Sequence, residues 1–251
     1  MNSRIGLPAL DCHAHVAPDV TTAQLQTLGN SHIFAVTRSL DEAAYVAARR
    51  DPNLTWGIGV HPAVAEAQSA FSADDFRTLI GKFALVGEVG LDRRAGGHRQ
   101  VQILTDVMKA CCDEPVLISV HSAGRVSQTL DVLEANPHFG TILHWFLGSA
   151  DECKRASETG AYFSVNAAMS DETIMSLPLD RILPETDFPA KKARATKPGD
   201  TTALEARLAT LWKVTSEVAH QRLWRNLRQI AMKSGAIERF SECLADIVLS
   251  V

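Results

Sequence analysis

Hydrophobic residues along the chain form short continuous runs that alternate with longer stretches of helical spacing. Runs bounded by Gly, Pro and polar residues are typical of buried β-strands. They predict eight strands, at Leu7–Cys12, Ile33–Thr37, Trp56–Val60, Phe83–Val89, Val116–Val120, Gly140–Leu143, Tyr162–Val165 and Arg181–Pro184. Apolar residues three or four positions apart predict helices at Leu40–Arg50, Phe71–Gly81, Arg99–Asp113, Arg125–Asn136, Ala150–Gly160, Asp171–Leu177, Thr202–Lys213, Ser216–Ala231 and Ile237–Leu249.

Strands that alternate with helices predict a parallel sheet covered by helices. Eight such units in 251 residues match the size of a TIM barrel, the closed (β/α)8 fold. A doubly wound open sheet is the competing arrangement. The sequence has no linker and no internal repeat, so we expect residues 1–251 to form a single, compact α/β domain with extra helices at its C-terminal end.

Composition narrows the class of protein. Hydrophobic residues make up 46% of the chain and charged residues 22%, which is typical of globular proteins and excludes disordered and coiled-coil classes. No apolar run approaches the roughly 18 residues of a membrane span, and the first residues lack the apolar core of a secretory signal. We therefore expect no membrane association. The net charge of −4 argues against a protein that coats duplex DNA, so any nucleic acid would bind at a local site.

Cysteine usage points to a reducing compartment. The chain has an odd number of cysteines and no CxxC pair, and two of the cysteines are adjacent. They are Cys12, Cys111, Cys112, Cys153 and Cys243. This pattern suits no common disulfide framework, so we expect reduced thiols and a cytoplasmic location.

Histidine or carboxylate side chains stand at the ends of six predicted strands. In a barrel all these ends meet at one rim, and imidazole and carboxylate groups are ligands for divalent ions. The candidate metal ligands are His13, His15, Glu88, His121, His144 and Asp187. Strand alternation predicts that Asp11, His13 and His15 share one face. The set exceeds what one tetrahedral ion needs, so we expect two ions that share Glu88.

A single histidine after an apolar strand is more often a packed core residue than a ligand. The metal prediction therefore rests on the whole set, whose members all fall at the same end of their strands. The other histidines fall in predicted loops or helices, and we interpret them as surface residues. They are His32, His98, His138 and His220.

At these residues the chain resembles the TatD family of metal-dependent deoxyribonucleases, in the amidohydrolase-like metal-barrel superfamily. The shared motifs occur in the family's order. They are Asp11-x-His13-x-His15, Gly59-x-His61-Pro62, Gly87-Glu88-x-Gly90-Leu91-Asp92, His121-Ser122, His144-x-Phe146 and Glu185-Thr186-Asp187-x-Pro189. The resemblance implies a TIM barrel whose two-metal site hydrolyses DNA phosphodiesters, often as a 3′-to-5′ exonuclease on single strands.

The resemblance also implies roles for individual residues. It assigns His13, His15, Glu88 and Asp187 to one ion and Glu88, His121 and His144 to the other. It places His61 at the substrate end of the site. The ions could be magnesium, manganese, zinc or cobalt.

We expect Asp187 and Glu88 to be the catalytic residues. Asp187 is positioned to accept a proton from the attacking water, and Glu88 fixes the ions. Asp11 and Asp92 are candidates for hydrogen bonds to the ligand imidazoles from behind, although either could instead stabilise a loop.

The chain departs from the family pattern at the expected substrate side of the site. Ala123 stands where the family usually has Arg after His-Ser, and Arg93 and Arg94 replace aromatic residues. The loop after Pro189 carries Lys191, Lys192, Arg194 and Lys197. We expect Arg93, Arg94, Lys191 and Lys192 to bind the substrate's phosphates, with single-stranded DNA ends as the partner.

Two alternative functions remain open. The first is a metal-dependent hydrolase of a small-molecule ester or amide. Many such enzymes bridge their ions with a modified lysine on strand four, where this chain has Glu88, and Lys82 lies at the wrong end of that strand. The second is a metal-binding, nuclease-like subunit that needs a protein partner, which the departures from the family pattern suggest.

Overall fold

The computed structural model describes residues 6–251. Within this range eight strands alternate with helices, and each predicted strand overlaps an observed one. The strands are β1 (Ala9–His15), β2 (Ser31–Val36), β3 (Leu54–Ile58), β4 (Leu85–Gly90), β5 (Leu117–His121), β6 (Thr141–Leu143), β7 (Tyr162–Val165) and β8 (Ile182–Pro184). The predicted α/β alternation is therefore confirmed.

The strands form one parallel sheet in the order β1 to β8. The segment after β8 returns to β1 and nearly closes the sheet. There the Asp187 amide donates to the His13 carbonyl at 2.9 Å, and the His15 amide donates to the Phe188 carbonyl at 2.8 Å. Sequential strand order with a β8–β1 junction is the TIM-barrel arrangement, so the open doubly wound sheet is excluded.

Helices cover the outside of the barrel and extend beyond β8. They are α1 (Thr22–Gln26), α2 (Leu40–Val46), α3 (Ala65–Ala70), α4 (Ala73–Ile80), α5 (Gly97–Ala110), α6 (Val126–Ala135), α7 (Ala150–Glu158), α8 (Asp171–Met175), α9 (Thr202–Leu211), α10 (Ser216–Ser234) and α11 (Glu242–Leu249). Short 3-10 helices occupy Leu179–Arg181, Lys191–Ala193 and Ala236–Arg239. Hydroxyl side chains such as Ser39, Ser72 and Ser149 cap helix N-termini and satisfy amides that lack a partner within the helix.

The predicted helix Ile237–Leu249 is wrong as one continuous element. Gly235 ends α10 in the left-handed conformation, with φ 74°, and a 3-10 turn follows it. The Ser241 hydroxyl then accepts from the Leu244 amide and starts α11. A hydroxyl cap is a strong helix start, so it splits the apolar pattern. The short helix α3 was not predicted, because six residues carry too little periodicity.

The C-terminal helices close the barrel at the N-terminal ends of its strands. A buried apolar cluster joins side chains of seven strands to α10 and α11. Trp224 of α10 is fully buried and donates its indole N–H to the Pro8 carbonyl at 3.0 Å. Asn226 donates to the Ile182 carbonyl at 2.8 Å. The opposite end, where the strands finish, is therefore left for the candidate ligands. None of the helices in residues 6–251 combines the length and apolar character that a bilayer crossing requires.

Candidate metal centre

All six predicted metal ligands meet at the C-terminal ends of the strands. Their ligand atoms form three overlapping groups, and within each group the atoms lie no more than 4.8 Å apart. The groups are His13, His15 and Glu88; His13, His144 and Asp187; and Glu88, His121 and His144. The convergence follows from the barrel, which brings the strand ends to one rim.

Glu88 lies between two sets of imidazoles. Its Oε1 atom is 2.5 Å from Nδ1 of His121 and 3.0 Å from Nε2 of His144. Its Oε2 atom faces the other way, 3.1 Å from Nε2 of His15 and 3.8 Å from Nε2 of His13. One carboxylate therefore serves two neighbouring groups of nitrogen ligands.

Asp187 completes the β1 side of the centre. Its Oδ1 atom is 3.7 Å from Nε2 of His13 and 3.9 Å from Nε2 of His15. Its backbone is in the left-handed region, with φ 46°. Residues other than glycine seldom adopt this backbone conformation, and those that do are concentrated at functional sites.

The side chains fit divalent ions. The Nε2 atom of His13 and the Oε2 atom of Glu88 are buried and have no hydrogen-bond partner within residues 6–251. Buried polar atoms without partners are costly, and a cation beside them would remove that cost. Imidazole nitrogens and carboxylate oxygens are the usual ligands of such an ion.

Two shifts in strand register aim the ligands. The pairing of β1 with β2 shifts between Asp11 and Ala14, and that of β4 with β5 shifts between Val86 and Val89. Bulges of this kind redirect side chains and are frequent beside active sites. They flank His13 in β1 and Glu88 in β4.

Two glycines let the backbone approach closely around Glu88. A Cβ on Gly59 would lie 2.1 Å from the Thr37 carbonyl and 2.4 Å from the Glu88 amide. A Cβ on Gly90 would lie 2.0 Å from the His121 carbonyl. Only glycine fits at either position, so these residues set the spacing between the ligand-bearing strands.

The register shift in β1 overturns the prediction that Asp11 shares a face with His13, and it supports the loop-stabilising alternative for Asp11. Its carboxylate does not hydrogen-bond an imidazole. Instead it accepts from the Thr186 amide at 2.9 Å, the Thr186 hydroxyl at 2.6 Å and the Gly199 amide at 2.8 Å. Because the bulge breaks the two-residue alternation, Asp11 and His13 do not share a face. Asp11 holds the segment around Asp187 against β1.

Asp92 contacts a ligand imidazole, as the sequence suggested. It is fully buried, and its Oδ2 atom is 2.9 Å from Nε2 of His121. The same carboxylate binds Arg94, whose Nε is 3.0 Å from both carboxylate oxygens. Burial alone would raise the pKa of Asp92, but the hydrogen bonds from His121 and Arg94 hold it well below its usual range.

Two residues that contact candidate ligand imidazoles were not predicted from the sequence. The Ser119 hydroxyl is 2.7 Å from Nδ1 of His13. The buried Glu185 lies behind His144, with Oε2 3.7 Å from its Nδ1, and is held by Ser164 and Asn166 of the neighbouring strand segment. Their one signal in the sequence is position, because Ser119 lies two residues before His121 and Glu185 lies two residues before Asp187.

His61 points into the same centre. The Ala63 amide donates to its Nδ1 at 3.0 Å, so the ring proton resides on Nε2. That atom is 3.2 Å from Oε2 of Glu88. The protonated Nε2 of His61 therefore faces the Oε2 side of the centre without a hydrogen bond to Glu88, and His61 is not part of the three ligand groups.

Burial and charge set the protonation of the cluster. Burial, with a further contribution from the charge of His144, lowers the pKa of His13 well below its usual value, which favours the neutral form that binds metals. Burial alone would raise the pKa of Glu88, but His61, His121 and His144 hold it well below its usual range. Burial raises the pKa of Asp187 to about 7.

The predicted substrate residues occupy different environments. Arg94 is engaged with Asp92, whereas Arg93 is exposed and lies over Gly124. Lys191 and Lys192 are exposed on the 3-10 turn after β8. Trp145 and Phe188, beside His144 and Asp187, pack against the core.

Three of the four histidines interpreted as surface residues are not exposed. His32 is buried in β2 and bonds the Thr55 hydroxyl at 2.9 Å. His138 and His220 are half-buried, and only His98 is exposed. His220 is held by Glu205 at 2.6 Å. Those three histidines satisfy hydrogen bonds in the framework, which the sequence pattern does not reveal.

A sequence profile for the family described as "TatD related DNase" matches residues 10–231. The chain belongs to this family. The match spans all the ligand-bearing strands and confirms the resemblance drawn from the motifs. It identifies the chain as a hydrolase of the metal-dependent DNase type.

Individual relatives agree with the assignment. A protein of Cronobacter sakazakii named 3′-5′ ssDNA/RNA exonuclease TatD is 27% identical over 188 residues, which are 68% of this chain and 72% of the relative. The human protein named deoxyribonuclease TATDN3 is 25% identical over 219 residues, covering 74% and 79% of the two chains. The solved structure of the TatD homologue YjjV from Escherichia coli has a TM-score of 0.75 at 21% identity, covering 88% of this chain and 97% of that one. That structure shows the same fold.

Proposed function

We propose that the protein hydrolyses phosphodiester bonds of DNA with two divalent ions, as a 3′-to-5′ exonuclease on single-stranded ends. One observation carries the two-ion part, which is the placement of Glu88. Its two oxygens face two different imidazole groups, within 3.8 Å in every case. A carboxylate shared in this way is typical of two-metal sites. The names of the related exonucleases support the substrate and polarity.

The ligands divide between the two ions in this proposal. His13, His15, Asp187 and Glu88 would hold one ion, and Glu88, His121 and His144 would hold the other. Such ions would supply an activated water and would neutralise charge on the phosphate. The candidate ions are magnesium, manganese, zinc and cobalt, each of which binds N and O ligands.

Asp187 is the proton acceptor of the proposed reaction. Its carboxylate is buried beside His13 and His15, where it could take a proton from the attacking water. Glu88 stays ionised and keeps its orientation through the surrounding histidines. His61 presents its Nε2 proton to the open side, and we assign it to substrate binding with Arg93, Lys191 and Lys192.

We treat residues 1–251 as one hydrolase barrel that acts in the cytoplasm. The five cysteines support that location, since all of them are free thiols.

The test is cleavage of end-labelled single-stranded and duplex DNA by protein stripped of metal and then supplied with one divalent ion. We expect a ladder that shortens from the 3′ end, depends on the ion and is lost in Asp187→Asn. The fold of the variant is checked by circular dichroism. Cleavage that persists in folded Asp187→Asn contradicts the mechanism. Failure to cut DNA with any ion, alongside hydrolysis of a small ester or amide, would favour the small-molecule reading.

A further inference from the structure

Exposed cations at the mouth of the barrel differ in whether they already have a partner. Arg94 binds Asp92, and Arg38 binds Glu42 with its Nε at 3.0 Å from the carboxylate. Lys197 donates to the Thr27 carbonyl at 3.3 Å. These three cations stabilise the loops themselves, so they are poor candidates for binding a substrate phosphate.

One group of available cations lies on the loops after β4 and β5. Arg93 makes no side-chain hydrogen bond with residues 6–251, and its stem packs over Gly124, where a Cβ would lie 2.5 Å from its Cδ. Arg125 is half-buried beside Gly97, with its guanidinium 3.4 Å from the position of a Cβ there. Its Nη1 donates to the Gln128 Oε1 at 3.1 Å, so it is partly engaged, but it has no ion-pair partner within residues 6–251. The Nε of Arg125 is buried and has no hydrogen-bond partner in the described part of the chain. Both arginines therefore border one seam between these loops.

A second group lies on the loop after β8. Lys191, Lys192 and Arg194 are exposed, and none forms an ion pair or side-chain hydrogen bond with residues 6–251. Strands in an eight-stranded barrel lie opposite each other when they are four places apart, and the observed order is β1 to β8. The β8 loop is therefore across the mouth from the β4 loop, with the ligand cluster between them.

The perpendicular direction carries exposed carboxylates that form no ion pair within residues 6–251, beside the Arg38–Glu42 pair. After β1 and β2, Asp19 and Asp41 line a groove of about 320 Å³ together with Glu42 and Tyr45. Across the mouth, Asp151 and Glu172 are acidic residues in the first turns of α7 and α8, which follow β6 and β7. Phosphates placed along this direction would meet like charge.

We propose that a single nucleic-acid strand crosses the mouth along one diameter, from Arg93 and Arg125 to Lys191, Lys192 and Arg194, with the cleaved phosphate at the ligand cluster. This inference rests on the proposed phosphodiesterase function and adds the direction of the strand. The acidic flanks disfavour the second strand of a duplex, whose phosphates would lie over them. The charge pattern thus selects a single strand.

The experiment compares two charge-reversed variants with a matched control. The variants are Arg93→Glu with Arg194→Glu, which alters both ends of the diameter, and Lys191→Glu with Lys192→Glu. The control is Lys82→Glu with Lys233→Glu. It makes the same change in net charge at exposed positions away from the C-terminal ends of the strands. The readouts are kcat/KM on a labelled 12-nucleotide single strand, on its duplex, and on bis(4-nitrophenyl) phosphate. Strand affinity is measured by fluorescence anisotropy in the Asp187→Asn background.

We expect each mouth variant to lower the ratio of strand activity to bis(4-nitrophenyl) phosphate activity at least tenfold, mainly through KM. Anisotropy should show the same loss, with a weaker dependence on salt because fewer phosphates are contacted. The double change Asp41→Lys with Asp151→Lys should raise duplex binding relative to single-strand binding.

Equal losses in the control, or unchanged ratios in the mouth variants, would overturn the proposed direction. If the unaltered enzyme cuts bis(4-nitrophenyl) phosphate but no nucleic acid, the proposed function fails, and the direction of the strand is then tested by fluorescence anisotropy alone. If anisotropy shows no strand binding, the proposed direction fails as well.

Discussion

Removing the Asp92 carboxylate should weaken one half of the metal centre. Asp92 is fully buried and 2.9 Å from Nε2 of His121, whose Nδ1 faces Glu88. Loss of a carboxylate that orients a ligand imidazole costs about 10–100-fold in metal affinity, which is about 1.4–2.7 kcal/mol. We therefore expect Asp92→Ala to weaken binding of the ion held by His121 and His144, and to leave the His13 and His15 ion nearly unchanged.

The assay is competition for Mn²⁺ or Zn²⁺ against a chromophoric chelator, fitted to separate sites. Arg94 reaches the imidazole only through Asp92, and its side chain is 68% exposed. An exposed ion pair is worth about 0.2–1 kcal/mol, so Arg94→Ala should cost less than about fivefold. Asp51→Ala controls for general destabilisation, because Asp51 binds Arg49 and Trp56 away from the ligands. Unchanged affinity in folded Asp92→Ala, or an equal loss at both sites, would refute the reasoning.

Two further predictions concern Glu88 and His32. Metal at about 100 times its Kd should stabilise the unaltered protein by about 2.7 kcal/mol for each ion bound, or roughly 5–10 °C in Tm per ion. Glu88→Gln should abolish most of that shift in differential scanning calorimetry, and a full shift in the variant would contradict the shared carboxylate. Burial lowers the pKa of His32 to about 4, so between pH 6.5 and 4 the unfolded chain binds a proton that the folded chain does not. Stability should fall with acidification by up to ~3 kcal/mol, and His32→Gln should flatten this dependence in urea titrations; an unchanged pH profile would show that His32 is not responsible.

The sequence predicted that the candidate ligands lie close together, because their placement follows from topology alone. His121 and Asp187 come at the ends of parallel strands, and a barrel brings such ends together whatever the details of packing. The prediction that Asp11 shares a face with His13 was wrong, because the direction of the Asp11 side chain depends on a bulge in β1. A bulge is a local backbone event with no signature in the hydrophobic pattern.

Contacts between distant strands were also beyond the sequence. Ser119 orients His13 from β5, and Glu185 lies behind His144 from the segment after β8. Arg94 was predicted to bind substrate, but it forms an ion pair with Asp92 that depends on the turn between them. Pairings of this kind require the three-dimensional positions of both partners.

The central claim, hydrolysis by two ions that share Glu88, is tested most directly by titrating metal-stripped protein with Mn²⁺. The rate of strand cleavage and the bound metal are followed together, with bound metal measured by mass spectrometry of the equilibrated protein. The account predicts that cleavage rises only as occupancy passes one ion per chain and saturates near two. Full cleavage at one ion per chain, or two bound ions without any phosphodiester cleavage, would contradict it.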